Sequence, residues 1–393
     1  MNLLYTITAY PPSVGGAQAH FHELARRLAQ HHRMQVAAHW AETRTDWLLG
    51  TTLRTARRPG ISPLDGVAVH LLSLTARERW RVVPYVLGYY LAKAPAIAYI
   101  SDLLVPHLEP LAYRVDLIHN GRVGREGLSF ASWKLARRLN IPFVLTPFHH
   151  PRWVGWNYRD YIRLYRAADA VIALTEAEKV ALAQLGVDPG RIFVTGMGPI
   201  LGTSPDADSF RQRCPLGGRM VLFLGQKYRY KGCAALLQAA PVVWKRFPET
   251  CFVFIGPRTR HSDSLFKRQP DPRILEMGVV DLKTKTDALA ACDLLCLPST
   301  QESFGAVFTE AWMLGKPVIG GHSPAVREII QEGVDGYVVG QEPEAIAERI
   351  LYLLEHPAVG EEMGRQGREK TLARYTWERL AERTESVYET ILG

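Results

Sequence analysis

The sequence predicts an α/β protein of two domains, each built on a parallel sheet, and three observations carry the prediction. Short apolar runs alternate with segments of helical period along both halves of the chain, the grammar of strand–helix–strand units. The chain has 393 residues, 47% hydrophobic and 22% charged, which suits two globular domains at ~100–200 residues each. A stretch dense in turn formers, residues 198–218, separates two sets of strands.

Taken in order, the first domain spans residues 1–200. Its apolar runs predict strands at 2–8, 33–39, 67–72, 115–119, 142–146, 169–174 and 191–194. Helical periodicity predicts helices at about 15–31, 129–139, 157–167 and 175–185, and residues 85–112 read as helix interrupted by prolines. Residues 41–66, with scattered Arg, Thr, Gly and Pro, read as an excursion from the sheet. A linker at 201–218 leads to the second domain, 219–374. Strands are expected there at 220–224, 251–255, 277–280, 293–297, 317–319 and 336–339. A final amphipathic helix, 375–393, is opened by Thr376.

Composition excludes several classes. No run approaches ~18 uninterrupted apolar residues, so no membrane span is expected. The chain enters a strand at Asn2 without the basic and apolar regions of a signal peptide. The five cysteines, at 214, 233, 251, 292 and 296, are odd in number and lack zinc spacing. A reduced cytoplasmic setting is the simplest reading. Charge is uneven: residues 1–200 hold 23 Lys+Arg against 14 Asp+Glu, and the remainder holds 24 against 25. Arg54, Arg57, Arg58, Arg77, Arg79 and Arg81 crowd near Trp80, Tyr85, Tyr89 and Tyr90. That mixture suits an anionic membrane surface, with peripheral attachment to its inner face, or an acidic saccharide, a nucleic-acid strand or merely a solvated basic face.

The densest chemistry lies at residues 302–320. Glu302 and Glu310 stand eight apart, split by Ser303-Phe304-Gly305. The first leaves the end of a predicted strand, and the second lies about a turn and a half into the following helix. A helix N-terminus beside a strand end is a natural diphosphate site, because its free N–H groups point outward. A carboxylate beside it suits the hydroxyls of a ribose. The other carboxylate could meet a sugar carried on the diphosphate.

The string Pro298-Ser-Thr-Gln-Glu-Ser-Phe-Gly, followed by Glu310-Ala and Gly315-Lys-Pro-Val-Ile, resembles the Glu-x7-Glu signature of family-4 retaining glycosyltransferases. The resemblance covers nearly the whole chain, most closely at 219–340. It implies the GT-B fold: two Rossmann-like doubly wound domains facing a central cleft, the final helix crossing back to the first. It further implies transfer of a sugar from a nucleoside-diphosphate sugar to a saccharide or lipid-linked acceptor, in polysaccharide or glycolipid biosynthesis. The anomeric configuration would be retained, and neither a metal nor any other cofactor is expected.

Site residues follow from the same resemblance. Gly15 and Gly16, after the first strand, match the family's Gly-Gly loop. In Leu224-Gly-Gln-Lys-Tyr-Arg-Tyr-Lys-Gly232, Lys231 keeps the diphosphate-binding lysine. Gln226 stands where an arginine is usual; either Lys227 or Arg229 compensates, or the diphosphate is held less tightly. Glu310, Phe304 and Gly305 complete the donor side, and Glu302 would orient the transferred sugar. His149 and His150 end the strand at 142–146. His149 is favoured beside the sugar, and His150 is left to a structural or acceptor-side role. Asn120 and Arg122, with Arg125 and Glu126, are the remaining acceptor-side candidates.

Other motifs do not compete. His22-Glu23 lacks the second histidine of a zinc helix, and Asp206-Ala-Asp208 falls in the linker as a solvated turn. A catalytically silent nucleotide- or carbohydrate-binding subunit on the same fold is the alternative, supported by Gln226 and the displaced histidines. A nucleic-acid or membrane-surface protein would leave the Glu pair without a role. An epimerase of the same fold fits the Glu-x7-Glu context less well.

Overall fold

A computed structural model describes residues 1–13, 15–40, 48–54, 59–122, 124–150, 154–214 and 217–393. Two compact units divide it: Met1–Gly196 with Trp377–Gly393, and Met197–Thr376. The boundary falls a few residues before the expected one. Residues 201–218, read as a linker, belong to the second unit, held there by Gly202 N–H to Thr286 Oγ1 (2.8 Å) and Asp206 N–H to Asp287 Oδ1 (2.7 Å).

Among the described residues the first unit carries an eight-stranded sheet. Its strands are β1 (Asn2–Ile7), β2 (Arg33–Ala38), β3 (Gly60–Leu64), β4 (Val67–Leu71), β5 (Leu117–Gly121), β6 (Phe143–Thr146), β7 (Ala170–Ala173) and β8 (Ile192–Val194). They lie in the order β3-β4-β2-β1-β5-β6-β7-β8, all parallel except the β3–β4 pair. β3 falls inside the excursion expected at 41–66. It is an exposed edge strand carrying Pro63, so neither apolar alternation nor the usual absence of proline marked it. Edge strands tolerate proline because one row of N–H groups has no ladder partner.

Where prolines were expected to interrupt a helix at 85–112, two helices form, Ala76–Leu87 and Lys93–Leu108. The first opens on a capping box, with Thr75 accepting from the Glu78 N–H and Glu78 accepting from the Thr75 N–H. Pro95 sits in the first turn of the second, where no intrahelical N–H is lost.

The last helix, Trp377–Leu392, packs within the first unit. Tyr388 OH meets Tyr5 OH at 2.5 Å and His119 Nδ1 at 2.6 Å in the core of the sheet. At the helix surface Arg27 pairs with Glu378 and His32 with Glu385.

Among the described residues the second unit carries a six-stranded parallel sheet: β9 (Met220–Leu224), β10 (Cys251–Ile255), β11 (Ile274–Met277), β12 (Leu294–Leu297), β13 (Val318–Gly321) and β14 (Gly336–Val339). The order is β11-β10-β9-β12-β13-β14. β9, β10 and β12 are buried throughout, as their unbroken apolar runs require. β11 lies three residues before its expected place. It is a half-buried edge strand, and its Ile-Leu-Glu-Met run is less apolar than those of the central strands. All five cysteines are buried and unpaired by disulfide.

Candidate functional site

In each sheet the chain reverses its direction of winding at one point, and ligands of open α/β sheets bind outside the strand C-termini at that switch. The switch lies between β9 and β12 in the second unit and between β1 and β5 in the first.

At the second unit's switch, Gly225–Gly232 follows β9 and Pro298–Gly305 follows β12. Lys231 Nζ and Glu302 Oε1 meet across these loops at 2.6 Å, both side chains nearly buried. The loops are fastened to each other. Tyr230 O accepts from Thr300 N–H (2.9 Å) and Gln341 Nε2 (3.1 Å), and Gln341 also donates to Pro298 O (2.8 Å). Gly232, at φ 79°, passes so close to Pro298 that an added Cβ would lie 2.5 Å from its carbonyl oxygen. Helices Cys233–Trp244 and Ala306–Met313 begin directly after Gly232 and Gly305, and no side chain caps either. Two sets of free N–H groups therefore start at the switch, beside a lysine.

Glu310 sits in the second of these helices, 3% exposed. Its Oε1 accepts from Lys285 Nζ (2.8 Å) and the Ile200 N–H (3.3 Å). Its Oε2 is buried with no partner among the described residues. A buried carboxylate oxygen without a donor is costly, and a hydroxyl group brought against it would satisfy it. Lys285 and Gln341 were not singled out in the sequence, because each lies far along the chain from the residue it serves.

Two donor-side expectations are corrected. Lys227 is fully buried, with Nζ donating to Gly256 O (2.6 Å) and Met277 O (2.5 Å) and paired with Glu276 Oε1 (2.7 Å). Burial pulls its pKa down against the pull of Glu276. Its charge is committed under the ends of β10 and β11 and does not replace an arginine at Gln226. Gln226 and Arg229 are both exposed. The Phe304 ring is buried edge-on against Tyr375, centroids 5.2 Å apart, so the side chain packs and only its backbone is offered to a ligand.

In the first unit, Gly15 precedes the helix Gly16–Leu28, which also lacks a side-chain cap. Gly15 is extended (φ 172°), and an added Cβ would meet only the end of the flexible Gln18 side chain, so neither its backbone conformation nor its packing demands glycine. His149 follows β6 and is 2% exposed. Its N–H donates to Glu178 Oε1 (2.6 Å), and Glu178 Oε2 also accepts from Leu174 N–H (2.7 Å). Glu178, missed in the sequence, thereby ties the end of β6 to the end of β7. Burial, reinforced by the Arg122 charge, lowers the His149 pKa to about 4, so the imidazole is neutral at pH 7. His150 beside it is half-buried.

The acceptor-side candidates are largely taken up by the fold. Asn120 is fully buried, and its amide donates to Thr6 O (3.0 Å) and Thr6 Oγ1 (2.9 Å). Arg122 is 5% exposed, donates through Nε to Pro147 O (2.9 Å) and lies 4.3 Å from the Tyr161 ring centroid. Glu126 is buried, paired with Lys93 at 2.6 Å and accepting from Tyr89 OH. These side chains lock the loop after β5 to its neighbours. Of the basic cluster, Arg79 donates to Leu74 O and Leu53 O, both at 2.9 Å, while Arg77, Trp80 and Arg81 are exposed. Arg57 and Arg58 lie outside the described residues.

Among the described residues no group of three or more His, Cys, Asp or Glu side chains is arranged to hold a metal ion, and no helix is long and apolar enough to cross a membrane.

Comparison with known proteins identifies the family. Residues 15–198 match the family described as glycosyl transferase 4-like domain, and residues 218–356 match glycosyl transferases group 1. The phosphatidyl-myo-inositol mannosyltransferase of Mycobacterium tuberculosis is 33% identical over 207 residues, covering 48% of this chain and 53% of that protein. The D-inositol 3-phosphate glycosyltransferase of Corynebacterium urealyticum is 30% identical over 251 residues, 57% of each chain. The chain spans about half the length of these relatives in the matched stretch. Among solved structures, Anabaena Alr3699/HepE in complex with UDP and glucose superposes with a TM-score of 0.74 at 19% identity, covering 99% of this chain and 100% of that one. Sucrose-phosphate synthase from Thermosynechococcus elongatus gives 0.75 at 18% identity, covering 99% of both. At these identities the superpositions speak for the fold alone.

Proposed function

The chain belongs to the family-4-like glycosyltransferases of the GT-B fold, and from that premise we propose that it moves a sugar from a nucleoside-diphosphate sugar to a saccharide or lipid-linked acceptor with retention of configuration. The observation that carries this is the Lys231–Glu302 pair, 2.6 Å apart at the switch point where two uncapped helices begin. Breaking the sugar–phosphate bond leaves negative charge on the diphosphate and positive character on the anomeric carbon. Lys231 and the helix N-termini meet the first, already in position before reaction. Glu302 orients the sugar through its hydroxyls and stabilises the second. Glu310 Oε2 accepts from a ribose hydroxyl. His149, neutral at pH 7, accepts a hydrogen bond from the sugar. The reaction runs without a metal ion, on charge supplied by the chain. The donor is held mainly by the second unit and the acceptor by the first, at an anionic membrane surface.

The test is a thermal-shift panel of UDP, GDP and ADP sugars followed by donor hydrolysis in excess chelator. A saturating donor at ~100 times its dissociation constant adds about 2.7 kcal/mol of stability. Binding and slow hydrolysis without added metal are expected. Turnover that chelator abolishes and a divalent ion restores overturns the metal-free reading. A nucleotide-binding subunit without turnover is the second reading, favoured by Gln226 and by the inward commitment of Lys227. Tight donor binding with no hydrolysis under any condition selects it.

A further inference from the structure

Among the described residues five other than glycine adopt a positive φ: Asp65, Arg114, Asn140, Phe148 and Ser204. Four of them are exposed. Phe148, at φ 45°, is buried and directly precedes His149. In that region the Cβ of an L-residue crowds the following carbonyl oxygen. Such a conformation persists only where the surroundings over-determine it.

Here they do so from three directions. The peptide before Phe148 is held by Arg122, whose Nε donates to Pro147 O (2.9 Å). The peptide after it is held by Glu178, whose Oε1 accepts from the His149 N–H (2.6 Å). Because peptide units are planar, fixing both of them fixes φ and ψ of the residue between. The third anchor is the Phe148 ring, seated against His20 and Phe21 of helix Gly16–Leu28 at centroid distances of 5.6 and 6.0 Å.

Both clamping side chains are 5% exposed and carry opposite charges. Each is tethered in turn. The Arg122 N–H donates to Thr146 O (3.0 Å). Glu178 stands at the third position of helix Glu176–Gln184, whose N-cap is Thr175. A carboxylate there ordinarily serves its own helix start. One oxygen does, accepting from the Leu174 N–H (2.7 Å), while the other crosses to the loop after β6.

We propose that Arg122 and Glu178 are positioning residues that hold Phe148 in its left-handed turn and thereby aim the His149 ring, which packs edge-on against Tyr165 with centroids 5.9 Å apart. Without either clamp Phe148 relaxes to the broad allowed region at negative φ, and the ring turns out of place. Each residue acts through His149 and not on substrate. That His149 meets the sugar rests on the transferase reading; the clamp does not.

The experiment follows the His149 ring nitrogens by ¹⁵N NMR in the full chain, assigned against His149→Ala. Turnover is read in parallel as hydrolysis of UDP-glucose, GDP-mannose or ADP-glucose. In the wild type burial and the Arg122 charge hold the ring pKa down to about 4. Glu178→Gln keeps one acceptor and turns an amide N–H₂ toward the other donor. The His149 signals should move, and the ring should titrate closer to about 6.5, the ordinary histidine value. Signals of His107 and His119 should stay in place, which shows that the first unit is folded. Turnover should fall by about tenfold or more, because small displacements of a positioned group are felt steeply in the rate. Glu178→Asp keeps the charge but has the reach for one N–H, so it should show a smaller change of the same kind even if Glu178→Gln does not fold. Adding Glu178→Gln to His149→Ala should cost no further turnover. Unmoved His149 signals in both Glu178 variants, or a turnover loss from Glu178→Gln that persists without His149, overturns the positioning role. Moved signals in a chain that hydrolyses none of the three sugars sustain the clamp and overturn the transferase reading.

Discussion

Three side chains at the second unit's switch point divide the work of holding a donor, and their surroundings predict different defects. Lys231→Ala removes a charge that matters most when the diphosphate departs. By analogy with lost oxyanion donors it should cost about 2.7–4 kcal/mol in the chemical step, read as kcat in a saturating-donor assay. Glu302→Gln should lower turnover more than donor affinity, because its charge counts most when the anomeric carbon is electron-poor. Glu310→Ala should chiefly raise the donor dissociation constant, since the ribose contact changes little on the way to the transition state. Calorimetry with the nucleoside diphosphate separates the last from the first two. If Lys231→Ala and Glu302→Gln both turn over at the wild-type rate, the assigned mechanism is wrong. Glu302, Glu310 and Lys231 were legible because each follows closely on a strand, Glu302 beyond the end of β12, Lys231 beyond the end of β9, and Glu310 in the helix that comes after Glu302. The direction of Lys227 was not legible. A loop side chain can point toward a ligand or under the sheet, and Glu276, which decides the matter, is distant in sequence.

At the scale of the element, the strand-to-helix turns carry the geometry. Gly232→Ala places a Cβ at a left-handed φ of 79° and against the Pro298 carbonyl. The backbone conformation alone costs roughly 1–2 kcal/mol, so thermal unfolding of the second unit should move down and turnover should fall with it. An unchanged melting temperature would show that the two loops are not held in register by this contact. In the first unit, the helix Gly16–Leu28 buries His20 against Phe148 and Trp377, with neither ring nitrogen partnered among the described residues. Burial lowers its pKa to about 3, and those of His39, His119 and His149 to about 4, about 3 and about 4. These imidazoles stay neutral in the folded state while the unfolded chain takes up protons below about pH 6.5. The unfolded state therefore binds more protons across that window, and stability falls as pH drops from about 6.5 toward 4. Urea titrations at pH 7.5 and 5 should show the loss. His20→Leu should add about 1–3 kcal/mol at neutral pH by removing unsatisfied polar atoms and should flatten the acid side. Equal stability of wild type and variant at both pH values would contradict the burial argument.

For the molecule as a whole, the basic excess lies in residues 1–200. Helix Ala76–Leu87 turns Arg77, Trp80, Arg81 and Leu87 outward, with Tyr90 and Leu91 exposed just beyond it. Exposed cationic and aromatic side chains on one helix face suit the headgroup layer of an anionic bilayer. Sedimentation with phosphatidylglycerol vesicles should show binding at low salt that weakens as the Debye length shortens from about 30 Å at 0.01 M to about 10 Å at 0.1 M. Trp80→Ser with Leu91→Ser should reduce it. Absence of binding to anionic vesicles at low salt would remove the membrane from the proposed function.

The order of strands and helices, the two-domain α/β class and the positions of the Glu pair, Lys231 and the glycine turns were set by the sequence itself. Each depends on local periodicity, turn chemistry or spacing within some twenty residues. The edge strand β3 escaped, and β11 was placed three residues late, because a half-exposed edge imposes only a weak apolar pattern. Tertiary structure alone decided which polar side chains were spent on the fold. Asn120, Arg122, Glu126 and Lys227 read as site residues because charge and position suggested ligands, but their partners Thr6, Pro147, Lys93 and Glu276 come from 25 to 114 residues away. It also supplied Lys285, Gln341 and Glu178, whose roles exist only through residues brought beside them by packing. Desolvation is the physical reason: a buried charge must find its partner wherever the folded chain provides one.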